Sequence, residues 1–254
     1  MRPLHYESSG EGVPVLLIHG LGDRHTVWRA ITPTLVANGC QVIAIDLPGH
    51  GLSGGREWTI ADTIRRIVFT LESLELTRVH VVGNSFGGYL ALRMAVDDLA
   101  SSVTALSPAG FTSAPRLVLA GGRLVRNRLA EALKRGTNHT AKRSTTQIGR
   151  LATGARNQPS WSGFARYMLP GLLVRLRASL PIPATIAWGD ADPILDTRGI
   201  QQASLLDPSI RWVEIPGCGH FPMKEAPAVS ASLVVETMKL RADAPSPQND
   251  GPLP

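Results

Sequence analysis

Three side-chain types that together perform nucleophilic acyl transfer stand where short apolar runs give way to glycine-bearing turns. Ser85 lies in VHVVGNSFGGYLAL, residues 79–92, between a β-branched run and a helix-forming stretch. The spacing Gly83-x-Ser85-x-Gly87 is that of a strand–turn–helix nucleophile elbow. A serine hydroxyl is a weak nucleophile at neutral pH and needs a base. His220 in IPGCGHFP offers one, directly after a strand-like run and before the last helical stretch. The base in turn needs an orienting acid, and AWGDADPI supplies Asp190 and Asp192 just after another strand-like run, with Asp196 as a weaker competitor. The chain order is Ser…Asp…His, the order that accompanies an elbow on a parallel sheet.

The elements that must position these groups follow a βα rhythm. Val13–Ile18, Gln41–Ile45, Val79–Val82, Val103–Leu106, Ala184–Trp188 and Arg211–Ile215 read as strands. The apolar, β-branched-rich character of the first two, without strict alternation, fits parallel strands covered on both faces. Trp28–Asn38 has a helical pattern with Pro33 its one awkward residue. Thr59–Leu74 puts Ile60, Ile64, Ile67, Val68 and Leu71 on one face of a helix, with Asp62 in the first turn. Gly87–Val96, Asp196–Leu205 and Pro222–Leu240 read as further helices. The fold class expected is α/β, a mostly parallel sheet with helices on both faces. In it Ser85, His220 and the aspartates all fall at the carboxyl-end rim, where open α/β sheets keep their sites.

The rhythm breaks once. Residues 111–180 contain thirteen Arg or Lys and one acidic residue, Glu131, whereas the rest of the chain has thirteen basic against nineteen acidic. The whole excess behind the net charge of +6 therefore lies in one internal block. Helices are expected there over Arg116–Lys134 and Phe164–Arg177, as an inserted, mostly helical cap. The expected organisation is a core over 1–110 and 181–240, the cap over 111–180, and a disordered tail over 241–254, where Pro and small polar residues dominate. No helix-turn-helix, zinc-finger or RNP-like pattern accompanies the basic block, so nucleic acid is not an expected partner. Its charge suits instead the attraction of an anionic small molecule.

At 254 residues, 43% hydrophobic and 18% charged, the composition is that of a folded protein with one principal core. No apolar run approaches the about 20 residues of a membrane span, and the start MRPLHYESSGEG has no secretory apolar region. With Cys40 and Cys218 the only cysteines, a disulfide framework is not expected, and the expected location is the cytoplasm. No metal-ligand spacing is visible, and no cofactor is expected. Oligomeric state is not legible.

The segments HGLGD (19–23), DLPGHGLS (46–53), GNSFGG (83–88), WGDADPI (188–194) and GCGHF (217–221) together resemble the α/β-hydrolase superfamily, in its serine-hydrolase branch. The likeness covers nearly the whole chain except residues 111–180 and the tail. It implies Ser85 as nucleophile, His220 as base, and Asp192 rather than Asp190 as the acid, by its offset from Gly189. It also implies backbone N–H groups of Leu21 and Phe86 as the oxyanion donors, a loop-shaping role for His19, and a structural role for Asp46. The cap would follow the sixth strand. His50 reads as structural, and Trp28, Trp58 and Met223 as packing residues. A serine at the elbow sets the chain apart from haloalkane dehalogenases and epoxide hydrolases of this superfamily, which use aspartate there. A small carboxylic ester is the substrate that asks least of such a site. The GNSFGG spelling is also similar to hydrolases that cleave carbon–carbon bonds in aromatic ring-fission products; those usually have tryptophan after the histidine, where this chain has Phe221, and a carbon–carbon hydrolase of ring-fission products or β-diketones is the second reading. A non-catalytic small-ligand receptor on the same scaffold is the third reading.

Overall fold

In the computed structural model, which describes residues 1–55, 59–111, 180–195 and 209–242, each apolar run named above forms a strand. In chain order these are β2 (Val13–Ile18), β3 (Cys40–Ile45), β4 (Val79–Asn84), β5 (Ala100–Leu106), β6 (Ala184–Gly189) and β7 (Ile210–Ile215). A further strand, β1 (Tyr6–Ser9), precedes them and escapes the sequence pattern. It is polar, largely exposed and paired on one side only, antiparallel to β3, so nothing in its side chains announces it. The sheet order is β1-β3-β2-β4-β5-β6-β7, and every pairing except β1–β3 is parallel.

Successive strand residues face opposite sides, so each strand feeds two cores. Leu16, Ile18, Ile43 and Ile45 join one cluster, with Ile64, Ile67 and Leu71 of α2 (Ile60–Glu72) and most of α3 (Phe86–Val96). Val15, Leu17, Val42 and Ala44 join the other, with Trp28, Leu35 of α1 (Thr32–Ala37) and Ala231, Leu233 and Val234 of α5 (Pro227–Ala242). Helices thus cover both faces. β4, β5 and β6 are buried along their whole length, which explains why their sequences lack alternation.

Two helices differ from the sequence expectation, each because of a proline. The stretch 28–38 is helical only over α1, whose start accommodates Pro33 where no helical N–H is needed, and a separate 3-10 turn, His25–Trp28, precedes it. The last stretch divides at Ala226 into α4 (Pro222–Glu225) and α5, because Pro227 lacks the N–H that would continue the helix. The strand before residue 111 is the fifth in chain order, not the sixth. Residues 107–183 join β5 to its parallel neighbour β6, so they interrupt a single sheet rather than link two. The helices expected at 116–134, 164–177 and 196–205, the residues Trp58 and Asp196, and the tail from 243 onward lie outside the described residues. Among the described residues no helix is long and apolar enough to cross a membrane.

The close crossing of β4, α3 and β2 depends on two glycines. A Cβ on Gly83 would meet the Gly87 carbonyl oxygen at 2.1 Å, and one on Gly87 would meet the Ile18 carbonyl oxygen at 2.1 Å. Both obstacles are backbone, which cannot rotate aside. Gly87→Ala is therefore expected to cost about 1–3 kcal/mol of stability or more, read as a lower urea midpoint. An unchanged midpoint would show that α3 lifts off β2 without cost.

Candidate active site

Between β4 and α3 the backbone reverses at Ser85, with φ 55° and ψ −116°. A non-glycine residue there is strained by about 1–3 kcal/mol, and such strain persists only where the surroundings impose it. They do: the Ser85 N–H donates to the Leu106 carbonyl at 3.0 Å, and the Ser85 carbonyl accepts from Tyr89 and Ala109 N–H at 3.0 and 2.9 Å. Ser85 occupies the N-cap position of α3, yet its side chain makes no capping hydrogen bond. A serine kept for capping would use its hydroxyl on an N–H of the first turn. Here the hydroxyl makes no hydrogen bond among the described residues, and Ser85 is partly exposed between two buried neighbours.

His220 lies in the loop between β7 and α4, and its side chain is 2% exposed. Its Nδ1 is 2.7 Å from Asp192 Oδ2. A carboxylate accepts, so Nδ1 holds the ring proton and Nε2 presents a lone pair. That Nε2 is buried and has no hydrogen-bond partner among the described residues. The Asp192 side chain is fully buried and is itself oriented, because its Oδ1 accepts the N–H groups of Ile194 and Leu195 at 2.7 and 3.0 Å. Asp190, two residues earlier, points elsewhere: its Oδ1 accepts the Gly217 N–H at 2.7 Å and ties the two loops together. The structure thus brings Asp192, and not Asp190, to His220.

The elbow and the histidine loop are linked by a residue that the sequence reading passed over. Asn84, fully buried, donates through Nδ2 to the carbonyls of both Leu106 and His220, each at 3.0 Å. The residue before Ser85 therefore holds the backbone of His220, 136 positions away in the chain. On the other flank, Gly20 lies against Ser85 closely enough that a Cβ on it would be 3.0 Å from the Ser85 Cβ. Leu21 follows directly, and its N–H enters no hydrogen bond among the described residues. Phe86 is the first residue of α3, where N–H groups and the helix dipole point toward the elbow. Such an arrangement can stabilise an oxyanion beside Ser85.

Neighbouring groups that could compete are occupied. His19 is fully buried; burial, and next the nearby His50, push its pKa down to about 3. Its Nδ1–H donates to the Gly20 carbonyl at 2.7 Å, and its Nε2 accepts the Leu47 N–H at 3.0 Å, so no lone pair is left for a base. His50 is buried, with Nδ1 2.9 Å from the Pro48 carbonyl. Cys218 is a free, buried thiol whose pKa is pushed up to about 11, first by burial and then by the Glu225, Asp192 and Asp190 carboxylates. It stays protonated and is no rival nucleophile.

A second grouping forms away from the elbow. His5, His25 and Asp46 each bring one possible metal-ligating atom within 4.8 Å of the others, although no spacing in the sequence signals it. The Asp46 carboxylate is already engaged: Oδ1 is 2.7 Å from the His25 N–H and 2.9 Å from His25 Nδ1, and Oδ2 accepts the Leu52 N–H at 2.8 Å. Burial acts against its charge, but these donors outweigh it and hold its pKa below the ordinary carboxylate value. The cluster ties the 46–53 loop to the 3-10 turn, and His25 Nε2 lies 3.5 Å from Glu7 on β1.

Comparison with known proteins places the chain in a family. Residues 15–233 match the profile of the Alpha/beta hydrolase family. An uncharacterized protein of Mycobacterium bovis is 27% identical over 92% of this chain and 77% of its own length. The 2-hydroxy-6-oxo-6-(2'-aminophenyl)hexa-2,4-dienoic acid hydrolase of Metapseudomonas resinovorans is 26% identical over 94% of this chain and 88% of its own. Among solved structures, a thermophilic esterase of Thermogutta terrifontis superposes with a TM-score of 0.67 at 22% identity, covering 94% of this chain and 93% of that one. An epoxide hydrolase of Vigna radiata reaches 0.71 at 18% identity, covering 93% and 94%. At these identities the two superpositions speak for the fold alone. The family match spans most of the sheet and the loops that carry Gly20, Asp192 and His220, and the chain belongs to the alpha/beta hydrolase family.

Proposed function

We propose that this protein is a serine-dependent hydrolase that cleaves a carbon–carbon bond in a ring-fission product of the 2-hydroxy-6-oxo-hexa-2,4-dienoate type. The observation that supports this reading over simple ester cleavage is the likeness to the Metapseudomonas resinovorans hydrolase, which extends over nearly all of both chains. A shorter likeness, 39% identity over 93 residues, joins the chain to the 2-hydroxy-6-oxo-2,4-heptadienoate hydrolase of Pseudomonas putida.

The chemistry uses the geometry above. In the dienol form C5 is part of a double bond and cannot leave. Moving a proton from O2 to C5 gives a 2,6-dioxo form with C5 saturated. His220 Nε2 then takes the Ser85 proton, and Ser85 Oγ attacks the C6 carbonyl. The N–H groups of Leu21 and Phe86 hold the oxyanion, a contribution of about 3 kcal/mol for each donor. Collapse breaks C5–C6, and the electron pair passes through C3=C4 onto O2, which takes the proton from His220. Water hydrolyses the acyl group from Ser85 by the same route. One water is consumed, and a carboxylic acid and a 2-hydroxydienoate are released. Asp192 keeps His220 in the tautomer with Nδ1–H and stabilises the imidazolium.

The substrate's own carboxylate suits the basic segment. That segment leaves the rim beside the elbow, where the Ala109 N–H donates to the Ser85 carbonyl. Its thirteen Arg and Lys against one Glu would draw an anion toward the rim. The test is a substrate panel. kcat/KM for a 2-hydroxy-6-oxo-hexa-2,4-dienoate is expected to exceed that for short p-nitrophenyl esters by at least about tenfold. It is also expected to fall as salt rises toward 0.15 M, where the Debye length is about 8 Å, while a neutral ester changes little. Efficient ester turnover with no turnover of the dienoate would return the reading to an esterase. No turnover of either would favour a ligand-binding protein.

A further inference from the structure

The catalytic histidine of such a site must be held to within about half an ångström, yet His220 sits on a loop, not on a strand or a helix. What fixes the loop is visible in two of its peptide units, one before His220 and one after. In the unit joining Cys218 to Gly219, the carbonyl accepts the Ala191 N–H at 3.0 Å and the N–H donates to Glu225 Oε2 at 2.7 Å. In the unit joining His220 to Phe221, the carbonyl accepts from Asn84 Nδ2 at 3.0 Å and the N–H donates to Glu225 Oε1 at 3.1 Å. Both units are thus held at both ends, and one carboxylate serves both N–H groups. Glu225 can do this because α4 turns back on the loop: the Glu225 N–H donates to the Phe221 carbonyl at 3.0 Å.

We propose that Glu225 is a positioning residue for His220, acting through its two backbone hydrogen bonds to set where Nε2 stands relative to Ser85. Neither bond touches the imidazole, and Glu225 itself is exposed, so burial of an apolar side chain is not its purpose. Its neighbour Lys224 reinforces the same turn, with Nζ 3.3 Å from Asp23 in the 19–23 loop and 4.9 Å from the Phe221 ring centre. Without the Glu225 carboxylate the Gly219 and Phe221 N–H groups must turn to water, and the loop can rotate about His220. A misplacement of about 1 Å at a catalytic group costs on the order of 100-fold in rate.

The inference rests on the assignment of Ser85 and His220 as nucleophile and base, and the experiment separates the two. The second-order rate of labelling by a fluorophosphonate probe is measured for wild type, Ser85→Ala, Glu225→Ala and Glu225→Gln, alongside kcat, KM and thermal midpoint. Glu225→Ala is expected to lower the labelling rate and kcat per folded molecule by roughly 10- to 100-fold with KM nearly unchanged. Glu225→Gln should recover part of the loss, since its single amide oxygen serves one N–H of the two. A folded Glu225→Ala variant that labels and turns over at the wild-type rate overturns the positioning role, as does one whose only defect is a lower thermal midpoint. Should the alanine variant fail to fold, Glu225→Gln decides: intermediate kcat supports the role and wild-type kcat overturns it. Wild-type labelling that does not depend on Ser85 would instead bring down the nucleophile assignment, and this inference with it.

Discussion

Ser85→Ala is expected to lower kcat by several orders of magnitude, roughly 10⁴- to 10⁶-fold, with the urea midpoint nearly unchanged. In the proposed reaction Ser85 and His220 act as a unit, so His220→Ala should cost about as much, and the double variant little more. The fold should survive because the features that impose the elbow belong to the backbone. The Ser85 N–H and carbonyl hydrogen bonds remain after truncation, and the Gly83–Gly87 crossing is untouched. The hydroxyl makes no capping bond whose loss would destabilise α3. A fluorophosphonate probe gives the cleanest reading, since it should label wild type at Ser85 and leave Ser85→Ala unmodified. Equal labelling of both would remove Ser85 from the reaction.

Asp192→Asn is expected to lower kcat on the order of 10⁴-fold while KM changes little. Asparagine is nearly the same size and keeps the side-chain oxygen that the Ile194 and Leu195 N–H groups need. The atom facing His220 then becomes an amide nitrogen, which donates. His220 must answer with a lone pair on Nδ1, and its proton moves to Nε2, the position that has to accept from Ser85. The rate falls through the wrong tautomer, and the missing negative charge no longer stabilises an imidazolium. Asp190→Asn is the matched comparison. Asp190 accepts only the Gly217 N–H among its described side-chain bonds, and an asparagine amide oxygen can still accept it, so this exchange should lower stability by no more than about 1 kcal/mol and spare kcat. A far greater loss of kcat in Asp190→Asn than in Asp192→Asn would transfer the acid's role to Asp190.

Much of the fold was open to sequence reasoning, because its causes are local. Short, largely apolar runs such as Val13–Ile18 and Ala184–Gly189 declare strands, and from Val15 and Ala184 onward these are buried on both faces. The apolar stripe of 60–72 declares a helix, capped by Thr59, whose hydroxyl accepts the Asp62 N–H. Gly83 follows from hard-sphere contact with the Gly87 carbonyl only four residues on. The elements missed were those whose cause lies outside their own residues. β1 exists because β3 offers it an edge, and the break at Ala226 comes from the N–H that Pro227 lacks.

By itself, then, the amino-acid sequence determined the parallel sheet, the elbow, and the rim on which a serine, a histidine and two aspartates would stand. Spacing could not choose between Asp190 and Asp192, since both leave the same strand end within one turn. Resemblance to a family favoured Asp192, and the folded turn aims Asp192 at His220 and Asp190 at Gly217. Only the tertiary structure decided that Asn84 would hold the His220 carbonyl, that Glu225 would gather the N–H groups on either side of it, and that His5, His25 and Asp46 would meet. The physical reason is common to all three. A hydrogen bond requires two groups within about 3 Å in a defined direction, and between residues far apart in the chain that condition is set by the packing of whole elements, which no local pattern records.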